Sequence, residues 1–377
     1  MATTNLGLTG SPYLTQKRVA RAQTNNTDVI QMRMTVTIGS DDYVFEQLPD
    51  IGTSDIFTFE LNSFLRNFVV SSLKTLTSGS VASGNTTLFT YVFTGLDVNN
   101  DVISGETSAS STNVVMNYSV DDLAPINIAD YLNSNVGIAT NLLLTDFLNP
   151  RKVLLDGYVA LSSFRTGNSQ RWCVVFTDAS DSVVSDAEIL PVFDGTLGSD
   201  VNYGSTLIQQ FDEPTATKMS IFIADSGGSG FSRTFRSRIY TFEKVAEPCQ
   251  YVEVLWINQF GAMEITLFNS NFAFGTQINK KSFEKVRPVN PTSYDRGQNN
   301  YMVESVKRFT IWSDYEKMED IEKLNYISVS PQVAVKIGAQ IIPVIVENAN
   351  TEDYNYHEPI NRVIFNMVMA NKRINVV

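Results

Sequence analysis

The sequence predicts a mainly β protein, with tandem β-sandwich-type domains and a smaller C-terminal β domain that carries one helix. Short runs of alternating apolar and polar residues recur along the chain, as in residues 30–38, and this period of two is typical of half-buried strands. Turn-forming residues separate these runs at short intervals, which is the pattern of sandwiches. Hydrophobic residues make up 43% of the 377 residues, so packed cores are available.

The length of the chain favours two or three domains, at about 100–200 residues each. We expect an extended N-terminal arm over residues 1–25 and a β-sandwich region over residues 26–245, which a boundary near residue 150 could divide. A C-terminal β domain with one helix follows over residues 246–377.

The N-terminal arm is polar and has no periodicity. A disordered terminus explains this composition as well as an arm that orders against a neighbouring subunit. Lys17, Arg18 and Arg21 cluster in the arm and are candidates for an interface with such a subunit.

Strands follow the arm. Residues 30–38 and 88–93 alternate, and the second run places Phe89, Tyr91 and Phe93 on one face. The segments Thr77–Thr87 and Ser104–Asn113 are rich in Ser, Thr and Gly and are predicted as exposed loops. We expect these loops to contact neighbouring subunits.

Three hairpins are predicted between residues 153 and 242. The first has Asp156-Gly157 as its turn, because this dipeptide is typical of tight hairpins. Its arms lie in Val153–Leu161, and the other two hairpins pair Trp172–Phe176 with Val183–Ile189 and Met219–Ala224 with Phe235–Phe242.

The C-terminal third changes character. Residues 313–316 form a capping box, which predicts a helix that continues to about Asn325. Residues 333–346 are predicted as a strand interrupted at Pro343, and residues 362–369 as another strand.

Charge and composition argue against several classes of function. The net charge is −12, whereas binding to nucleic acid needs a basic surface, so we expect no direct nucleic-acid binding. No signal segment opens the chain and no apolar run reaches membrane-spanning length, so we expect no membrane partner. The two cysteines, Cys173 and Cys249, have neither disulfide-framework nor zinc-ligand spacing and are expected to be reduced thiols.

No residues are assigned to catalysis, cofactor binding or metal binding, and no enzymatic activity is expected. A histidine-dependent site would need His357, which has no second triad motif. Asp97–Asp101 begins like a calcium loop, but Val102 replaces the required Gly and Ser108 the required Glu, so a hairpin turn is favoured. Paired carboxylates that cleave a cell-wall glycan are invisible in sequence, and this enzyme remains an alternative.

A basic and aromatic face is predicted on the strand after Phe235. Alternation would place Arg236, Arg238 and Tyr240 on one side of it. Such a face fits nucleic acid, the acidic N-terminal region of a neighbouring copy, or plain solvation, and solvation is the simplest of the three.

The most distinctive segment is Cys249–Phe268, which predicts a strand ending in Trp256 and Ile257, a turn over residues 258–262, and a return strand. It resembles virion tail and neck proteins of tailed phages that infect Bacteroides-type bacteria, the crAss-like group. In those proteins a Cys precedes a strand ending in Trp or Phe, Leu or Ile, and Asn, followed by an aromatic residue, Gly and an acidic residue. Residues 144–151 resemble a second segment of that family, Leu-Thr-Asn and then Pro-Arg, although Asp146 and inserted residues depart from it.

This resemblance implies a β-sandwich subunit of a ring around the tail or neck axis, located in the virion and made in the host cytoplasm. It implies partners among copies of the same chain and other tail, neck or portal-proximal proteins. It brings no active site and no cofactor, and Trp256 becomes an interface candidate. The alternative function is a glycan-binding receptor-recognition module of a phage tail, in which exposed rings such as Trp172 or Trp256 would hold the sugar.

Overall fold

The computed structural model describes residues 3–9, 19–53, 55–65, 67–68, 73–83, 86–116, 145, 150–166, 170–190, 195–197, 201–246, 251–258, 261–268, 272–284, 298–313, 316–351, 360–370 and 373–376. Strands dominate these residues, which confirms the mainly β class. Two helices accompany them, α1 at Asn62–Leu65 and α2 at Met318–Asn325. Single 3-10 turns lie at Gly230–Ser232 and Tyr326–Val329.

The strands are numbered in chain order. Those before residue 246 are β1 Thr4–Thr9, β2 Val19–Gln23, β3 Gln31–Ile38, β4 Asp41–Gln47, β5 Ile56–Glu60, β6 Ser80–Ser83, β7 Thr86–Leu96, β8 Val102–Thr107, β9 Ser111–Met116, β10 Arg151–Val153, β11 Tyr158–Thr166, β12 Gln170–Thr177, β13 Val183–Ile189, β14 Gly195–Leu197, β15 Val201–Gln210, β16 Lys218–Asp225 and β17 Tyr240–Lys244. Those after it are β18 Val252–Ile257, β19 Met263–Phe268, β20 Phe272–Glu284, β21 Gln298–Trp312, β22 Glu316–Lys317, β23 Val333–Ile337, β24 Gln340–Thr351, β25 Ile360–Asn361, β26 Val363–Met369 and β27 Arg373–Val376.

The chain divides into two compact units. The first is Met1–Val245 with Ile257–Glu264, and the second is Ala246–Trp256 with Ile265–Val377. The turn of the distinctive hairpin is therefore part of the first unit, although its two strands continue into the second.

The first sandwich lies in the first unit and is built from two sheets. One has the strand order β1-β2-β5 and the other β4-β3-β7-β8, with β9 also paired to β7. Alternation along β3 and β7 sends every second side chain inward, which gives the shared core of a sandwich. Its members from the two sheets include Ala20, Ala22, Met32, Met34, Val36, Phe57, Phe59, Phe89, Tyr91 and Phe93.

The N-terminal segment belongs to this sandwich, and the prediction of an arm outside the fold needs correction. β1 pairs antiparallel with β2, and β2 pairs with β5. Ala20 and Ala22 on β2 are fully buried. The short side chains of β2 hide its alternation in the sequence, because alanine contributes little to an apolar pattern.

Two further sheets of the first unit form a second sandwich. Their orders are β10-β17-β16-β12-β13 and β11-β15-β14, with β6 also paired to β15. The Trp172 indole on β12 donates a hydrogen bond to Ser205 Oγ on β15 at 3.0 Å, and the ring of Phe176 meets that of Phe211 edge-on at 5.4 Å. The predicted pairings of β12 with β13 and of β16 with β17 are confirmed.

The Asp156-Gly157 turn does not make the predicted hairpin. Asp156 has a φ of +63° and the turn closes with a bond from Gly157 N to Leu154 O at 3.0 Å. The strand before it, β10, pairs in parallel with β17, whereas the strand after it, β11, pairs with β15. The turn therefore carries the chain from one sheet of the second sandwich to the other.

The two segments predicted as exposed loops contain strands. Thr77–Thr87 includes β6, which pairs with β15 of the second sandwich, and the start of β7. Ser104–Asn113 includes most of β8 and the start of β9, both paired with β7. Ser and Thr suggested loops here, but these side chains also suit strands whose outer face is solvated. The hairpin turn predicted at Asp97–Asp101 is confirmed, since Asp97 Oδ1 accepts the backbone N–H groups of Asn99 and Asp101.

The second unit is organised around an antiparallel sheet of order β19-β18-β23-β24-β26-β21-β20, with β27 also paired to β21. The predicted helix is present as α2 and buries Ile321 and Leu324, but it begins at Met318 rather than at a cap on Ser313. Ser313 instead pairs with Val363, whose backbone N–H donates to the Ser313 hydroxyl at 2.8 Å. Residues 333–346 form the hairpin β23–β24, not one interrupted strand, and Pro343 lies within β24. None of the helices in the described residues is long and apolar enough to cross a membrane.

Candidate functional site

The turn of the distinctive hairpin is held by Asn258. Its Oδ1 accepts the backbone N–H of Ala262 at 3.0 Å, and the Asn258 N–H donates to the Ala262 carbonyl at 2.8 Å. Gly261 has a φ of +73°, a left-handed conformation that favours glycine. The conformation of the turn therefore explains why Asn258 and Gly261 occur in this segment.

Glu264, at the start of the return strand, is buried in an ion pair. Asn258 Nδ2 donates to Glu264 Oε1 at 2.6 Å, and Arg151 Nη1 donates to Oε2 at 3.2 Å. The side chains of Arg151 and Glu264 are 9% and 1% exposed. A charged pair this deep needs its hydrogen bonds, because desolvation of each charge is costly.

Thr145, Arg238 and Tyr240 lie beside this ion pair. Arg238 Nη2 donates to the Thr145 carbonyl at 2.6 Å, and its guanidinium lies 5.5 Å from the centre of the Tyr240 ring. Burial raises the pKa of Tyr240 to about 12, with Arg151 opposing this shift. The Tyr240 hydroxyl therefore stays protonated at neutral pH.

The buried polar cluster thus joins the two segments on which the prediction of a phage tail or neck protein rests. Thr145 and Arg151 come from residues 144–151, and Asn258 and Glu264 come from Cys249–Phe268. All of these contacts lie within the first unit. The charges and amides are satisfied by one another in a buried setting, so the arrangement anchors the hairpin turn to the second sandwich.

The structure gives the predicted interface residues different degrees of exposure. Arg21 is exposed on β2, and Lys17 and Arg18 lie outside the described residues. Tyr240 is fully buried and Trp256 is 1% exposed, so their side chains serve the core of the folded chain instead of presenting a surface.

The strand predicted from Phe235 begins only at Tyr240. Phe235 forms an isolated bridge with Ala224. The chain then bends before β17 begins at Tyr240. Arg236 pairs with Asp225, with Nη2 and Oδ2 2.6 Å apart, while Arg238 points to the buried cluster. The two arginines therefore contact different groups, although Arg238 is exposed and Arg236 is partly exposed.

Both tryptophans named for glycan binding are enclosed. Trp172 is 1% exposed and its indole bonds to Ser205, while Trp256 donates to Thr266 Oγ1 at 3.2 Å. A sugar needs an exposed ring face for stacking, and neither indole offers one in the folded chain.

The residues considered for chemistry are also placed. Cys173 is a free, buried thiol, and burial raises its pKa to about 11, which makes it a poor nucleophile at neutral pH. His357 and Cys249 lie outside the described residues. Within the part of the chain that is described, no three His, Cys, Asp or Glu side chains group in a way that could hold a metal ion.

Sequence reasoning missed a buried carboxylate in the first sandwich. Glu106 on β8 accepts hydrogen bonds from the hydroxyls of Thr3 at 2.8 Å and Thr24 at 3.0 Å, and from Asn26 Nδ2 at 3.3 Å. Burial raises the pKa of Glu106, but the three hydrogen bonds outweigh it and the pKa is lowered. The ionised carboxylate thereby connects the N-terminal segment to the sandwich. No local sequence pattern indicates this buried carboxylate.

A second missed feature is the ribbon formed by residues 275–284 of β20 and their partners on β21. β20 is an edge strand, and its residues from Gly275 to Glu284 are exposed on both faces. Ile278 and Phe283 are 55% and 50% exposed. A strand that packs on a core hides one face, so this ribbon extends beyond the core of its sheet.

The charge of the ribbon region could have revealed it in the sequence. Residues 272–312 contain seven basic and three acidic residues, a net charge of +4, so the rest of the chain carries −16.

No known family model matches the chain, and no curated protein matches its sequence. A solved structure of the full extracellular region of plexin A4, domains 1 to 8, aligns with 96% of this chain at 9% sequence identity and a TM-score of 0.18. The chain spans 39% of the length of that plexin chain. A likeness at this TM-score carries no argument about fold or function.

Proposed function

We propose that this chain is a non-enzymatic structural subunit of a tailed-phage virion. Copies of it assemble into a ring of the tail or neck and contact neighbouring tail, neck or portal-proximal proteins. When each copy contacts the next through two different surfaces, the repeated contact either closes into a ring or grows into a fibre.

The ribbon is the observation that carries this proposal. Its edge strand exposes both faces over about 34 Å, from ten residues at about 3.4 Å each. Extended edge strands with exposed apolar residues pair readily with other chains. A partner that covers Ile278 and Phe283 would remove these side chains from water.

The buried polar cluster bears on the non-enzymatic part of the proposal. Its charged and amide side chains bind one another and anchor a hairpin turn, so they are not presented to a substrate. The mainly β architecture also suits a rigid subunit, because its sandwiches hold edges and loops in fixed positions.

The test is the mass of the purified full chain across concentration, by mass photometry and light scattering, with negative-stain images of large species. We expect closed particles of one defined size above a threshold concentration. A monomer at every concentration would contradict self-assembly into a ring. Turnover of purified peptidoglycan would contradict the non-enzymatic part of the proposal.

A further inference from the structure

The first sandwich carries an acidic counterpart to the basic ribbon. Residues 41–60 contain six acidic residues and no basic one. β4 is the edge strand of its sheet, and Gly39 and Ser40 make the turn before it, so Asp41 and Asp42 lie on the strand itself. We call the outer side of β4, with Asp42, Val44 and Glu46, the acidic face.

Aromatic packing on the inner side of β4 holds the acidic face in place. Tyr43 and Phe45 point to the opposite side of β4, and their rings contact Phe64 at centroid distances of 5.0 and 4.8 Å. This packing fixes the strand and directs Val44 outward, where it is 56% exposed between two carboxylates. Thr37 donates to Asp42 at 2.6 Å and orders its carboxylate, while Arg33 forms an ion pair with Glu46 at 2.7 Å that offsets the charge of Glu46, so Asp42 is the carboxylate of this face that is left to meet a cation.

The ribbon has a matching composition. Alternation along β20 places Ile278 and Lys280 on one face and Lys281 and Phe283 on the other. Each face therefore combines an exposed apolar side chain with a lysine. Lysines on an edge strand also discourage indiscriminate strand pairing, so a partner for this edge should supply acidic groups.

We propose that the ribbon of one copy docks on the acidic face of the next copy. This proposal rests on the proposed self-assembly and names the two surfaces that meet. The apolar side chains Ile278 and Val44 would be covered in the contact, with Lys280, which shares a face with Ile278, set against Asp42. Lys281 and Asp41 lie on the opposite faces of their strands and would add charge at the rim of the contact. A second copy is the occupant that the charges favour, because the ribbon, residues 275–284 with their partners 298–308, carries a net charge of +2 in a chain whose net charge is −12.

The contact joins two unlike surfaces, so each copy can give its ribbon to one neighbour and receive the ribbon of another. Such a heterologous contact closes into a ring when a whole number of the rotations between copies makes one full turn, without translation along the axis. Opposite charges at its edge would also make assembly sensitive to salt.

The test reverses each set of charges in the full chain. One variant carries Lys280→Glu and Lys281→Glu, a second carries Asp41→Lys and Asp42→Lys, and a third carries all four changes. The dissociation constant is read from mass photometry and sedimentation across concentration. We expect each double variant to associate at least about tenfold more weakly, about 1.4 kcal/mol, and the fourfold variant to recover most of the loss.

A matched control carries Lys152→Glu and Lys323→Glu, the same charge change outside both surfaces. Circular dichroism checks that every variant keeps its strands. We expect the control to assemble like the unchanged chain.

The outcomes separate this proposal from the proposed function. Unchanged assembly of the ribbon variant would overturn the docking contact while self-assembly stands. Weaker assembly of the ribbon variant without recovery in the fourfold variant would overturn the acidic face as its receptor. A chain that never assembles would overturn both proposals together.

Discussion

Replacing Glu264 by Gln tests whether the buried polar cluster stabilises the first unit. The change keeps the size of the side chain and an oxygen that can accept from Asn258, but it removes the charge that faces Arg151 at 3.2 Å. With Glu264 1% exposed and Arg151 9% exposed, solvent can replace only a small part of the lost interaction. Breaking a buried ion pair by removing one partner costs about 3–5 kcal/mol, and we expect about 3 kcal/mol because Arg151 retains some contact with water.

The assay is urea unfolding of the full chain, followed by far-UV circular dichroism and tryptophan fluorescence. The control is Arg236→Met, which breaks an ion pair whose side chains are 44% and 28% exposed. Such an exposed pair contributes at most about 1 kcal/mol, so the control should unfold near the unchanged midpoint. A loss below about 1 kcal/mol for Glu264→Gln would refute the reasoning.

A double-mutant cycle sharpens the result. Arg151→Met and Glu264→Met should each destabilise the first unit strongly, whereas the double variant should lose less than the sum of the two. Replacing both charges removes the desolvation cost along with the attraction, which is why apolar replacements of buried pairs are often neutral. Strictly additive losses would show that the two charges do not stabilise each other.

Three further predictions concern stability measured by thermal or urea denaturation. Gly95→Ala would place a Cβ 2.8 Å from Val29 Cγ2 and 3.1 Å from Glu106 Cβ, so we expect a loss of about 1–3 kcal/mol, whereas Gly275→Ala, whose nearest neighbour lies at 3.9 Å, should change little. Stability should fall as pH rises from about 9 to about 11, because folded Cys173 keeps its proton up to a pKa of about 11 while an unfolded thiol releases it near 9.0, and Cys173→Ala should remove the part of this slope below about 10, where the raised pKa of Tyr240 does not yet contribute. Stability should also fall as pH drops below about 4.5, because the lowered pKa of Glu106 keeps that carboxylate ionised in the folded chain, and Glu106→Gln should flatten the acid limb of the curve.

Local patterns predicted the elements whose burial alternates. β3 and β7 read as strands because Met32, Met34, Phe89 and Phe93 recur at every second position, and the structure buries all four. The β12–β13 hairpin was found for a related reason, since its strands are separated by a short turn and pair with each other. In these cases the residues that decide the structure are neighbours in sequence.

Local patterns misled where the partner of a strand is distant. Asp156-Gly157 correctly marked a reversal of the chain, but the strands on either side pair with β17 and β15 in different sheets. β2 was missed because Ala20 and Ala22 become core residues only when β5 covers them. The same holds for the candidate site. Each motif is recognisable within its own segment, but the contact between the two segments depends on the tertiary structure.

The sequence by itself determined the mainly β class, the positions of the strongly alternating strands, and the unusual basic segment in an acidic chain, because each depends on composition or on contacts between near neighbours. The tertiary structure alone decided that the N-terminal segment completes a sandwich, that Arg151 pairs with Glu264 more than 100 residues away, and that both faces of β20 remain exposed. These features depend on which distant strands pair and on what is left uncovered afterwards. Sheets are assembled from long-range hydrogen bonds, and a strand carries little local information about its partner.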